Sequence, residues 1–174
     1  MPRPPKKSQT RKAPDNRLYT LEVFITEGPT TEEFAEKNPV VSRTIQIRGD
    51  QTLEQLHKAI FTAFDREDPH MYEFQFGGKG PMDPKAKRYV MPEALEDPFG
   101  QKPPAGIVTK TAIGSLGLKV KDKFGYWFDF GDDWHHQINV VGIDDEAPKG
   151  RYPKLTNRVG ESPPQYVDWE EEED

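Results

Sequence analysis

Four histidines and a cluster of acids at residues 129–133 are the side chains here whose types can move protons or bind a metal. An imidazole titrates near neutrality, and a carboxylate beside it sets its tautomer or raises its pKa. Asp129, Gly131, Asp132 and Asp133 signal a turn between two strand-like stretches, which sets Asp129 against a histidine of the far strand. With a three-residue loop Asp129 lies opposite His135, and Phe124, Tyr126 and Phe128 oppose Val140, Ile138 and His136 on the buried face. With a two- or four-residue loop it faces His136 instead. His135 and His136 are adjacent on a strand, so they point to opposite faces and one ion does not easily take both. The turn also reads as a tight connection whose carboxylates cap backbone amides. His57 reads first as a core-edge imidazole of a helix, and His70, after Pro69, equally as a turn cap.

The chain holds no cysteine, which excludes disulfides, thiolate metal sites and cysteine nucleophiles. G-x-S-x-G, H-E-x-x-H, the phosphate-binding Walker loop and G-x-G-x-x-G are absent. Asp129-Phe130-Gly131 spells the kinase D-F-G, but the other kinase elements are missing. What remains is a candidate binding pocket of His57, His70, Asp129, Asp132, Trp134 and His136, with no catalytic residue, metal or cofactor assigned. Trp134, with Trp127, Tyr126 and Tyr72, offers an aromatic surface near the turn. The acidic surroundings favour core packing or a protein contact there over base stacking.

The elements that must position these groups are legible in part. Residues 18–26 alternate, with Tyr19, Leu21, Val23 and Ile25 on one face, which predicts a strand. Residues 31–36 suggest a helical turn, and 40–48 a second strand with Val41, Ile45 and Ile47 on one face. Arg43 interrupts that face, which suggests a sheet edge where its head reaches water. Thr52 and Gln55 form a capping box, and Leu53, Leu56, His57, Ile60, Phe61 and Phe64 follow as one apolar stripe of a helix. Residues 71–76 make a third strand; residues 77–111, rich in Gly and Pro, read as a surface excursion with at most one short strand. Residues 112–118 suggest one helical turn, and 123–130 with 137–143 a hairpin. The fold expected is a single α+β domain over 18–167. Its mixed or antiparallel sheet has about five strands and one main helix, in the order β-β-α-β and then a C-terminal hairpin, with a β-grasp-like arrangement as the alternative.

Both ends are strongly charged. Residues 1–17 carry six bases against one acid, and residues 168–174 carry six acids. Such blocks bury too little to offset ordering entropy, so a disordered basic arm and a disordered acidic tail are expected. The basic arm, through Arg3, Lys6, Lys7, Arg11 and Lys12, is suited to salt-dependent contact with nucleic acid. The N-terminus has no apolar segment of signal-peptide type, and the mean hydropathy of -0.88 offers no membrane span, so the cytoplasm is the expected compartment.

Four stretches combine into a larger pattern: L-x-x-L-H-x-x-I-x-x-A-F at 53–64, H-x-Y-E-F at 70–74, F-D-F-G-D-D-W-x-H at 128–136, and Tyr152-Pro153 with G-E-S-P-P-Q-Y at 160–166. In this order and spacing the chain resembles the plasmid open-reading-frame-three-like domain family, over about residues 18–169. The resemblance implies an α+β domain of unknown biochemical function, found on plasmids, in transposon-passenger contexts and in chromosomes, some members carrying resolvase-type names. It marks His57, His70, Asp129, Gly131, Asp132, Trp134 and His136, and prefers His136 to His135. Many relatives read P-P-E-D-C-G-G near the end, where this chain has Pro163-Pro164-Gln165-Tyr166. Residues 152–169 are expected to cross the body as a Pro-rich strap.

The reading these observations favour is a non-enzymatic binding or accessory domain, associated with mobile elements, that meets a macromolecular partner at the hairpin turn. One alternative is a metal-dependent or acid–base enzyme built on His57, His70, Asp129, Asp132 and His136, which requires at least three of them to converge. The other is nucleic-acid association through the basic arm.

Overall fold

The computed structural model describes residues 14–78, 83–95 and 103–167. The basic segment 1–13, where most of the arm falls, and the acidic residues 168–174 lie outside them. Ten main elements follow in chain order. They are β1 (Leu18–Glu27), α1 (Glu32–Lys37), β2 (Ser42–Arg48), α2 (Leu53–Ala63), β3 (Tyr72–Phe76), β4 (Lys87–Val90), β5 (Gly106–Ile107), β6 (Lys123–Phe128), β7 (Trp134–Asp144) and β8 (Lys154–Val159).

The strands form one sheet in the order β5-β4-β3-β6-β7-β1-β2-β8. Only β4 and β5 run parallel; every other neighbouring pair is antiparallel. The α+β class is as expected, but the sheet has eight strands rather than about five, and the β-grasp arrangement finds no support in this order. The Gly- and Pro-rich middle supplies two of the additional strands, β4 and β5, and the strap supplies β8.

The alternation of β1 puts Tyr19, Leu21 and Val23 into the core, and β2 adds Ile45 and Ile47. Thr52 caps α2 as its spacing requires: its hydroxyl accepts from Gln55 N at 3.2 Å and its amide donates to Gln55 Oε1 at 2.8 Å. The helix lays Leu53, Leu56 and Ile60 on this face of the sheet, joined by Val108 and Ile113 from 3-10 turns.

Arg43 corrects the edge reading. It is buried because β8 continues the sheet beyond β2. Its guanidinium donates to the carbonyls of Ala63 (2.8 Å), Ser42 (2.7 Å), Val159 (3.0 Å) and Gly160 (3.1 Å), and to Ser162 Oγ (2.9 Å). A guanidinium with five donors can be sealed when carbonyls replace water.

Candidate functional site

The register Phe128↔Trp134 leaves five residues, 129–133, between β6 and β7. Asp129 (φ 61°) and Asp133 (φ 58°) are left-handed, a conformation Asp tolerates better than most residues. Asp129 Oδ1 accepts from Gly131 N (3.1 Å) and Asp132 N (3.2 Å), while Asp133 N donates to Asp129 O (2.7 Å). The capping role expected of the turn is therefore filled by Asp129. The buried-face residues of the hairpin are those anticipated, but shifted by two: Phe124, Tyr126 and Phe128 oppose Ile138, His136 and Trp134. No Asp–His pair forms across the hairpin.

The histidine that Asp129 meets comes from the start of the neighbouring strand. His70 Nε2 lies 3.3 Å from Asp129 Oδ2 and 2.8 Å from the Tyr166 hydroxyl. Asp129 N also donates to Met71 O at 2.9 Å, which ties the turn to the start of β3. The strap brings Tyr166 here by its own bonds: Gln165 Oε1 accepts from Glu67 N (2.9 Å) and Asp68 N (3.0 Å).

His57, carried by α2, and His136, carried by β7, belong to one aromatic layer with Tyr72 and Tyr126. His57 stacks on Tyr72 with centroids 3.6 Å apart, and its Nδ1 is 2.6 Å from the Tyr126 hydroxyl. Burial, with Arg66 and Lys58 adding repulsion, brings its pKa down to about 3. Burial also raises the pKa of Tyr126, so phenol and imidazole form an uncharged hydrogen bond. His136 is buried, and desolvation first, then the Arg66 charge, pushes it well below the ordinary histidine range. Its Nε2 lies 2.8 Å from Arg66 Nη2 and its Nδ1 3.2 Å from Tyr126 O. Arginine can only donate, so Nε2 is the bare nitrogen and Nδ1 carries the proton.

Arg66 is buried, its guanidinium carbon 4.8 Å from the Phe128 ring centre and 5.2 Å from those of Phe64 and Trp134. Trp134, placed in the candidate pocket with core packing as one reading of these aromatics, is 0% exposed and belongs to the core. The exposed aromatic of the turn is Phe130 (37%), packed 4.4 Å from Trp127, whose indole N–H donates to Asp133 Oδ1 at 2.9 Å. Met71 (41%) and Tyr166 (52%) are also exposed, as is Asp132.

Of the six candidates, the structure joins His70 to Asp129 and leaves Asp132 on the turn surface. His57 and His136 sit on either side of Tyr126, and His136 and Trp134 are sealed. Among the described residues no three His, Asp or Glu side chains are placed to hold a metal ion. Arg66, Tyr126, Trp127, Phe130 and Tyr166 complete the constellation. For Arg66 the signal in sequence was a basic residue two positions beyond the α2 stripe; for Tyr166 it was the departure from the relatives' pattern.

An eight-stranded, largely antiparallel sheet with one long helix on its core face defines a small α+β domain. The chain belongs to the plasmid pRiA4b ORF-3-like protein family, whose model matches residues 33–170. It is similar to the uncharacterized protein y4hQ of Sinorhizobium fredii (strain NBRC 101917 / NGR234), with 28% identity over 140 residues. That match takes in 74% of this chain, which spans about 60% of the relative's length. A crystal structure of a protein of unknown function, MM3350 from Methanosarcina mazei Go1, shares the fold with a TM-score of 0.62 and 23% identity, over 82% of this chain and 69% of that one. Among the described residues no helix is long and apolar enough to cross a membrane.

Proposed function

We propose that the chain is a non-enzymatic binding or accessory domain that takes an arginine- or lysine-bearing segment of a partner protein on the rim of the β6–β7 turn. The observation that carries this reading is Phe130, held outward against Trp127 beside the carboxylates of Asp132 and Asp133. A guanidinium stacks on an aromatic face and pairs with a carboxylate at once, which makes arginine the complement of such a rim. Met71 and Tyr166 are exposed and tied to the same turn, Met71 by its carbonyl on Asp129 N and Tyr166 through His70. Support also comes from His57 and His136, which burial keeps uncharged near neutral pH, so that neither is a cationic acid there.

Fluorescence anisotropy with labelled peptides tests the reading. Arginine-bearing peptides should bind in a salt-sensitive manner, and the same peptides with glutamate in place of arginine should not. Asp132→Lys should weaken binding by at least about tenfold, the equivalent of about 1.4 kcal/mol. Equal binding of both peptide sets, or no effect of Asp132→Lys, would reject it.

A further inference from the structure

The face of the sheet opposite α2 carries a hollow of about 670 Å³, centred on β6 and β7 and lined by Gln75, Gly125, Gln137, His135, Lys123 and Glu27 among others. Its volume is in the range of small-molecule sites, about 300–1,000 Å³. The hollow exists because β6 alternates outward as Lys123, Gly125 and Trp127, so a glycine stands mid-strand between two long side chains. A glycine there lets another group approach the sheet backbone closely.

Gln75 makes the hollow selective. It pairs with Gly125 across β3 and β6, and it is only 5% exposed. Its Nε2 donates to Glu73 Oε1 at 2.8 Å, and Glu73 Oε2 in turn accepts from Arg88 Nε at 3.2 Å. A carboxylate can only accept, so the amide nitrogen must face Glu73 and Oε1 must face the other way, over Gly125. A Cβ at position 125 would lie 2.8 Å from that oxygen. Gln75 Oε1 has no hydrogen-bond partner among the described residues, and it is a fixed acceptor at the floor of the hollow. At one side stands His135, its ring stacked on Trp127 at 5.6 Å and 14°. An acceptor seated over a strand position that has no side chain of its own, beside a backed aromatic ring, suits a flat ring that carries an N–H.

We infer that this hollow is a binding site for a nucleobase-bearing small molecule, the base lying between Gln75 and His135 on the outer face of β6 and β7 and donating an N–H to Gln75 Oε1. The site is on the sheet face; it touches the turn only through Trp127, and its acceptor, Gln75, plays no part in the peptide reading.

Ligand-observed NMR on the full chain with adenosine, guanosine, cytidine and uridine tests it. Uridine has one ring N–H, at N3, and should give saturation-transfer signals that 3-methyluridine does not. Gln75→Met, which removes the carbonyl at similar volume, and Gly125→Ala, whose methyl would displace Gln75 Oε1, should each weaken binding at least about tenfold with the circular dichroism spectrum unchanged. Should one variant fail to fold, the other and the methylated ligand still decide. Phe130→Ser should leave nucleoside binding intact. Absence of binding by all four nucleosides would overturn the inference. So would equal binding of uridine and 3-methyluridine.

Discussion

Arg66 Nη2 lies 2.8 Å from His136 Nε2, so a buried cation is held by an uncharged imidazole rather than by a carboxylate. Its other terminal nitrogen, Nη1, has no hydrogen-bond partner among the described residues, and burial brings the Arg66 pKa down to about 10. Such a cation contributes little net stability, because desolvation offsets its contacts with the surrounding rings. Arg66→Met should therefore unfold in urea within about 1 kcal/mol of the wild type, or be more stable. His136→Ala should cost about 2–4 kcal/mol, since it opens a cavity and leaves Arg66 without its acceptor.

The two neutral imidazoles also set a pH window. In the unfolded chain both titrate near the ordinary value of about 6.5, whereas in the folded chain His57 stays neutral down to about 3 and His136 is likewise depressed. Below about pH 6.5 the unfolded state thus binds more protons, and stability falls as pH falls. Above that value the two contribute no pH dependence. Each contributes a slope of at most about 1.4 kcal/mol per pH unit. Urea unfolding between pH 7.5 and 4.5 should show the decline, and His57→Phe, which keeps a ring against Tyr72, should make it shallower. A slope unchanged in His57→Phe would contradict the assignment.

Two adjacent-looking tryptophans should behave oppositely. Trp134 is 0% exposed and pressed against Gly28, where a Cβ would collide with its ring, so Trp134→Ala should cost about 3–5 kcal/mol. Trp127 is half-buried on the outer face, and Trp127→Ala should cost less than half as much. Thermal unfolding of the pair separates core from rim.

At Asp129 the backbone and the carboxylate carry different weights. Asp129→Asn keeps an acceptor for the Gly131 and Asp132 amides and tolerates φ 61°, so its cost should stay below about 1 kcal/mol. Asp129→Ala loses both bonds and strains the left-handed backbone, for about 1–3 kcal/mol. Chemical denaturation of both variants checks the order.

Much of this arrangement was legible in the residues. The alternation of β1, the Thr52–Gln55 cap and the stripe of α2 are local signals, and each is realised where its spacing puts it. The partner of Asp129 was not legible, because two left-handed aspartates lengthen the turn to five residues and no periodicity announces turn length. His70 reaches Asp129 through the pairing of β3 with β6, a long-range relation. Arg43 looked like an edge residue because β8 arrives from over a hundred positions away and closes that edge. For Trp134 the sequence left core packing and a protein contact both open, because it follows three acidic or glycine residues; β7 begins with it and its strand face is the buried one.

The location of the partner surface is the point most directly open to measurement. Backbone amide shifts of the 15N-labelled chain, recorded while an arginine-bearing peptide is added, should move at 70–71, 127–133 and 166, and the same residues should stay still in Phe130→Ser. Shifts confined to other parts of the chain, or none at peptide concentrations that saturate anisotropy, would contradict binding at the β6–β7 turn.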